Sequence, residues 1–532
     1  ASIQITPTPA VSLTPFQPVL PTQTPVPSQT PTPTIILVGL APSLPPELLS
    51  GLAFSSSLQV VEQGGSLRLD VLPTGQAVGE QEVTWVYALV APFPTILDGV
   101  NQEELLAAWQ GQSALESFSG KPLLLSAATR AAFEQVWGSP GEGAVQVLPA
   151  DQLLDAAWAQ STWALVGFED LDPRWKVLRV EGLSPLDKNL EISSYPLALH
   201  FGWHGDNGIV TQVENEMLFP PGNRDSQKMT VVVMTGVTAL TRATGWKMEL
   251  NGMEYPARDI LAWLKEADLL HISNEVSFNP LCEPADPAQP SLMFCSAPRY
   301  IELLDYIGAD VIELSGNHNV DRGMDAFVYS LDLYRQRGWG VYVGGMNLAE
   351  ARKPLLVEHN GNRLAFLGCN LAGPERVWAT VDAPGEASCD YEYIDAQLAS
   401  LRAEGYLPIF TYQYYESYSP SASTPQKDEF RARAEAGAVI VQGSQAHRPQ
   451  GMEFAYGAFI HHGLGNLFFD QMEVTGVTGT RDEFIDRHVF YNGRYIGVEL
   501  LTAMLEDYAR PRPMTAAERE VFLAQMFKAS GW

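Results

Sequence analysis

Positive charge is scarce in this chain. Its 532 residues hold 33 Lys and Arg against 62 Asp and Glu, a formal net charge of −29. That balance argues against nucleic acid or anionic membrane as partner, because both need a basic surface. Charged residues of either sign make up only 18%, so the surface relies on Ser, Thr, Gln and Asn. No apolar run reaches the roughly 18 residues of a membrane-crossing helix. Cysteine is sparse: Cys282, Cys295, Cys369 and Cys389 include no C-x-x-C pair of the kind that holds zinc. Their separations fit two disulfides closing short loops, 282 with 295 and 369 with 389, with four buried thiols as the alternative. The chain also lacks a G-x-S-x-G elbow, a P-loop, a G-x-G-x-x-G turn and an H-E-x-x-H helix.

Residues 1–34 carry nine Pro, eight Thr and no charge, and the first charged residue is Glu47. This composition reads as a polyproline-type stalk spanning 1–46. Thr22, Thr24, Thr30, Thr32 and Thr34 are candidate O-glycan acceptors if the chain is exported. Export is expected from the start at Ala1-Ser2-Ile3 without Met, which fits a processed chain. A segment with no core of its own orders only against something else, which suits self-association.

The chain as a whole is 46% apolar and, at 532 residues, long enough for two or three domains. Residues 47–225 are expected to form a first α/β unit, loosely like a lobe of a solute-binding protein. Strands are predicted at 83–90, 123–125, 144–148 and 163–168, with helices at 102–109, 127–137 and 152–160 between them. Its tryptophans (Trp85, Trp109, Trp137, Trp158, Trp163 and Trp175) are read as core. Residues 226–532 alternate strand and helix more regularly, as a layered α/β domain. Strands are expected at 228–234, 269–272, 311–314, 340–343, 363–369, 407–412 and 438–441. Helices are expected at 255–267, 299–307, 324–337 and 516–529. Loops at the carboxyl ends of such strands converge on one crevice. Five segments should therefore meet: 235–237, 273–275, 315–323, 412–416 and 443–447.

Those segments carry the boxes Ser273-Asn274-Glu275, Gly316-Asn317-His318-Asn319-Val320-Asp321-Arg322-Gly323, Gly443-Ser444-Gln445-Ala446-His447-Arg448-Pro449-Gln450 and Gly463-Leu464-Gly465-Asn466-Leu467-Phe468-Phe469-Asp470-Gln471. In order and spacing the region 228–475 resembles the CapA type of poly-gamma-glutamate capsule biosynthesis proteins, a branch of the calcineurin-like metallophosphatase superfamily. The resemblance implies a metallophosphatase-like layered fold. It also implies metal ligands from Glu275, Asn317 and His447, with His318 and Asp321 as catalytic candidates. Three positions depart from the family pattern. Gly236 stands where its Gly-Asp box supplies a carboxylate, Tyr412 where its His-Trp-Gly box supplies an imidazole, and Gln445 where the His-Pro-His box begins. Losing even one supporting contact around a metal costs about 10–100-fold in affinity. Losing three ligands leaves no cofactor, or at most one weakly bound divalent metal. The survivors also have structural uses: Asn317 can cap a turn, His318 can bond a backbone carbonyl, and Asp321 can favour the start of the next helix.

The sequence is therefore read as a secreted cell-surface or extracellular-matrix protein on a degenerate CapA-like scaffold, non-catalytic and self-assembling into a filament or layer. Its partners would be further copies or a cell-envelope polymer. Two alternatives stand beside this reading. One is a metal-dependent hydrolase or transferase acting on poly-gamma-glutamate or another exopolymer. The other is a peptide- or glycan-binding module.

Overall fold

The computed structural model describes residues 35–61, 64–72, 81–116, 118–216, 218–472 and 476–532. The proposed stalk threonines lie outside these residues. Both units are α/β, as the alternation predicts. The first is built on a ten-stranded mixed sheet whose long central strand is Glu82–Pro92. Strands Leu123–Leu125, Val145–Val147 and Ala164–Gly167 run mutually parallel on one side. On the far side lies Ile36–Leu40, which pairs with Leu58–Val61 and Leu67–Val71. This strand corrects the predicted stalk boundary. Residues 35–46 belong to the first unit, because Ile36 and Val38 alternate inward and are buried. Four of the tryptophans (Trp85, Trp109, Trp163 and Trp175) are core, and Trp137 and Trp158 are half-buried.

The second unit is a sandwich of two sheets. Parallel strands Met229–Thr238, Leu269–Asn274, Val311–Glu313 and Gly340–Tyr342 form half of the first sheet. The antiparallel strands Asp482–Tyr491, Arg494–Glu506 and Arg510–Pro513 extend it. The second sheet centres on the parallel strands Asn362–Asn370, Leu407–Ser417, Ile440–Ala446 and Ala458–His461. Val232, Met234, Phe484 and Val498 of one sheet share a buried cluster with Phe366, Ile409, Ile440 and Phe459 of the other. The C-terminal helix Ala516–Ser530 closes that cluster with Phe522, Leu523, Met526 and Phe527. Thr515 and Glu518 form a reciprocal capping box at its start.

Two helical predictions differ from the outcome. The helix expected over 255–267 is a short turn, Tyr255–Ala257, followed by the separate helix Leu261–Lys265. Pro256 suits a first turn but cannot continue an existing helix. A helix at Arg242–Asn251 was not anticipated. Both expected disulfides, Cys282–Cys295 and Cys369–Cys389, are formed. Arg519 pairs with Asp98, and Arg494 donates to the backbone carbonyls of Glu169 and Leu171, so polar contacts join the two units.

Candidate functional site: a remodelled metal cleft

The five segments do converge. The Glu275 amide donates to the Thr238 carbonyl at 2.9 Å, which holds 275 beside the end of the first strand. Gly316 lies directly against Glu275, since a Cβ at 316 would stand 2.3 Å from the Glu275 Cα. Val276 and His318 form an isolated parallel bridge. Ser273 and Ser444 hydroxyls meet at 3.0 Å across the two sheets. Glu275, Asn317, His318, Gln445 and His447 are thus carried by segments that meet at one end of the two sheets.

At the first departure, Gly236 does more than lack a carboxylate. An added Cβ would come within 2.3 Å of the Gly465 carbonyl oxygen, so no side chain fits there. Its neighbour Val237 lies in a small apolar cluster with Ala239, Val276, Phe294 and Phe469. The second departure is corrected by the structure. Tyr412 does not face the cleft. Its ring stacks on Phe430 at 4.6 Å, and its hydroxyl accepts from Arg433 at 3.0 Å. Strand alternation presents the next residue instead. The Gln413 amide nitrogen donates to Asn317 Oδ1 at 3.3 Å and to Gln445 Oε1. Gln413 therefore occupies the place assigned to Tyr412, and it joins Gln445 and Asn317 in a chain of amides. Gln445 holds a backbone φ of 75°, an uncommon conformation for a residue with a Cβ.

The surviving polar residues are mostly engaged with one another. His447 Nδ1 lies 2.9 Å from Asn466 Oδ1. His318 Nδ1 meets Asp321 Oδ2 at 2.6 Å, so its partner is a carboxylate rather than the expected backbone carbonyl. Asp321 also accepts from the Phe294 amide at 2.8 Å and does not cap the following helix, whose N-cap is Gly323. Burial alone would lower the His318 imidazole, but the Asp321 hydrogen bond and the charges of Glu275 and Asp321 outweigh it and raise its pKa. Glu416, a further carboxylate on the strand that carries Gln413, is exposed and accepts from Tyr418. Asp470 grips the Arg242 guanidinium and accepts from the Ala243 amide at 2.9 Å, which anchors the start of the helix Arg242–Asn251. Arg242 stacks over Phe294 and Phe469. His461 and His462 are buried, and His461 bonds Asp486 at 2.6 Å. His204 bonds the Val71 carbonyl at 2.9 Å in the first unit.

Glu275 stands apart. It is 2% exposed, and neither carboxylate oxygen has a hydrogen-bond partner among the described residues. Behind the 316–318 loop lies a second buried acid, Glu386, bonded by Asn319 at 3.0 Å and Asn370 at 2.6 Å. Burial raises its pKa well above the ordinary carboxylate value. Spacing gave no signal for Glu386, because the Cys369–Cys389 loop brings it in.

The donors present do not fit a two-metal centre. Such a centre takes anionic and imidazole ligands from several directions. Here the Gln413 amide nitrogen donates to the oxygens of Asn317 and Gln445, which takes up one lone pair on each, and an uncharged amide stands at 413 and 445 in place of the implied imidazoles. Among the described residues, no group of three or more His, Cys, Asp and Glu side chains could hold a metal ion.

The scaffold is a layered α/β fold. Residues 231–471 match the family described as bacterial capsule synthesis protein PGA_cap, in agreement with the CapA-type resemblance of the sequence boxes. The PGA biosynthesis protein CapA of Bacillus subtilis (strain 168) is 25% identical over 195 residues, which is 36% of this chain. The chain spans 50% of that relative's length. Among solved structures, a 5'-nucleotidase precursor from Thermus thermophilus is similar at 14% identity and a TM-score of 0.32, over 57% of this chain and 59% of its own. The NAD nucleotidase of Haemophilus influenzae is similar at 10% identity and a TM-score of 0.31, over 57% and 56%.

Proposed function

We propose that this chain is an exported cell-surface protein in which a CapA-type scaffold serves a structural, non-catalytic role. The observation that supports this reading is the amide chain Asn317–Gln413–Gln445, which stands where the family resemblance implies metal ligands. Gly236 adds to it, because the Gly465 carbonyl leaves no space for a carboxylate there. Self-association through the Thr/Pro segment belongs to the same reading. It is tested by electron microscopy of the full chain beside a chain lacking residues 1–34, where loss of filaments or layers is the expected difference.

The decisive experiment is metal analysis of the purified full chain after exposure to manganese, zinc and magnesium, followed by gel filtration. The expected result is no stoichiometric metal and no turnover of a generic phosphoester. Two retained ions per chain, or turnover that Glu275→Gln abolishes, would overturn the proposal.

One observation favours a second reading. The unpartnered oxygens of buried Glu275 suit one weakly held divalent ion shared with Asn317 and His447. A hydrolase or transferase acting on an exopolymer would then remain. A single saturable site in a manganese titration, lost in His447→Ala, would establish that reading in place of the first.

A further inference from the structure

The first unit contains a crevice that the metal-cleft comparison does not touch. It has a volume of about 590 Å³. It lies at the carboxyl ends of the parallel strands Leu123–Leu125, Val145–Val147 and Ala164–Gly167, and Pro42, Pro45, Pro46 and Glu47 contribute to its wall. Ends of parallel strands are where α/β sheets place ligands, and the volume suits a small molecule. Most of its wall is apolar, formed by residues such as Pro42, Pro45, Ala128 and Leu148.

The polar lining is one-sided. Glu47, Glu169 and Asp170 all face the crevice, and among the described residues no Lys, Arg or His lines it. Glu47 and Asp170 lie at the exposed rim, and Glu169 is half-buried. Glu169 is fixed in place: Trp85 Nε1 donates to Oε1 at 2.9 Å and Asn223 Nδ2 donates to Oε2 at 2.5 Å. The third element is Tyr87, paired with Gly167 across the sheet. Tyr87 is 2% exposed, and its hydroxyl has no hydrogen-bond partner among the described residues. A buried hydroxyl left without a partner is costly, and beside a crevice it marks a place for a ligand atom. Two positive features lie close by, and both are engaged. Ser126 caps the helix Ala127–Trp137 with its own side chain. Arg494, reaching in from the second unit, spends its guanidinium on the carbonyls of Glu169 and Leu171.

The electrostatics agree with the geometry. Burial raises the Glu169 carboxyl to about 7 against the hydrogen bonds of Asn223 and Trp85, and the charge of Asp170 adds to the rise. Burial, then the charges of Glu169, Glu47 and Asp170, push the Tyr87 hydroxyl well up. Each of these groups would be relieved by a positive charge placed among them.

We propose that this crevice binds an organic ammonium ion, a primary amine on an apolar body, with Glu169 and the Tyr87 oxygen accepting its N–H groups. Asp170 and Glu47 supply the remaining counter-charge at the rim, and the proline–alanine–leucine wall takes the hydrocarbon. Anions are excluded by the same three carboxylates.

The test is titration calorimetry of the full chain at pH 8 with hexylammonium, hexanoate, hexanol and inorganic phosphate. Hexylammonium should bind one per chain, and hexanoate and phosphate should not bind. Hexanol, which keeps the chain and loses the charge, should bind at least about tenfold more weakly. Glu169→Gln should weaken hexylammonium by roughly 10–100-fold, the usual cost of a lost charge-assisted hydrogen bond. Tyr87→Phe should weaken it about fivefold. Asp170→Asn at the exposed rim leaves the core untouched, and a severalfold loss there carries the test if Glu169→Gln fails to fold. Tighter binding of hexanoate or phosphate, equal binding of hexanol, or hexylammonium affinity unchanged by Asp170→Asn and Tyr87→Phe would overturn the proposal. So would the absence of any hexylammonium binding at millimolar concentration.

Discussion

Glu275→Gln separates a retired metal site from a working one. In the wild-type fold the Glu275 carboxylate is 2% exposed and unpartnered on both oxygens among the described residues. A buried polar group left without a hydrogen bond costs about 1–3 kcal/mol, and more when charged. Its compensation is longer-range: Glu275 is one of the charges that raise the His318 imidazole. Replacing the carboxylate by a neutral amide of nearly equal volume lowers the desolvation cost, because an amide is cheaper to bury than a charge, and also removes that attraction. Above the His318 pKa the imidazole is neutral and little attraction is lost. The gain of the metal-free protein should therefore be larger at pH 8 than at pH 5, up to about 1–3 kcal/mol, which for domains of 150–250 residues is roughly 2–4 °C per kcal/mol. At pH 5, with His318 charged, the gain should shrink. The assay is thermal unfolding of wild type and variant in chelator at both pH values, repeated with added manganese. Stabilisation of the wild type by manganese with no effect on the variant would show that Glu275 holds a cation and would refute the structural reading of the cleft; a variant less stable than wild type in chelator would refute the desolvation argument.

Gly236→Ala places a Cβ 2.3 Å from the Gly465 carbonyl oxygen, which cannot move without its strand; overpacking of this kind should cost about 1–3 kcal/mol in denaturant unfolding. Asp321→Asn should act mainly at low pH. The fold raises the His318 pKa, so the pair's stabilisation is complete below the ordinary histidine value of 6.5 and is lost as pH rises through the folded value. The gap between wild type and variant should therefore widen from pH 8 to pH 5, and a constant gap would contradict the pairing. Cys369→Ser with Cys389→Ser opens a loop with a sequence separation of 20, which should cost about 3 kcal/mol. The same change should loosen Glu386 beneath the 316–318 loop, read as faster hydrogen exchange at Asn319 and Asn370.

Much of this architecture is legible in the residue pattern. Apolar strands alternating with amphipathic helices dictate an α/β fold, and loops at strand ends dictate a shared cleft. The Tyr412 assignment failed because box spacing locates a strand end without saying which face a residue occupies. The signal was present: Phe410, Tyr412 and Tyr414 form an alternating aromatic stripe that must be buried, which turns Gln413 the other way. The hairpin joining Asp482–Tyr491 to Arg494–Glu506 was likewise announced by Asn492-Gly493, a dipeptide suited to a two-residue turn with both φ positive. Glu386 and the Arg242–Asp470 pair could not be read this way. Each depends on chain segments far apart in sequence, and nothing local distinguishes a buried acid from a solvated one.

The grip of Asp470 on the helix at 242–251 has a consequence for how such chains are sorted. The stretch Gly463 to Gln471 is held by mechanical demands: a carboxylate that anchors a helix, and a glycine whose carbonyl fills the space at 236. These demands persist with or without metal. A search keyed to that stretch therefore reads packing and does not report on a metal. The positions that bear on the metal are 413 and 445, where in this chain one amide answers another.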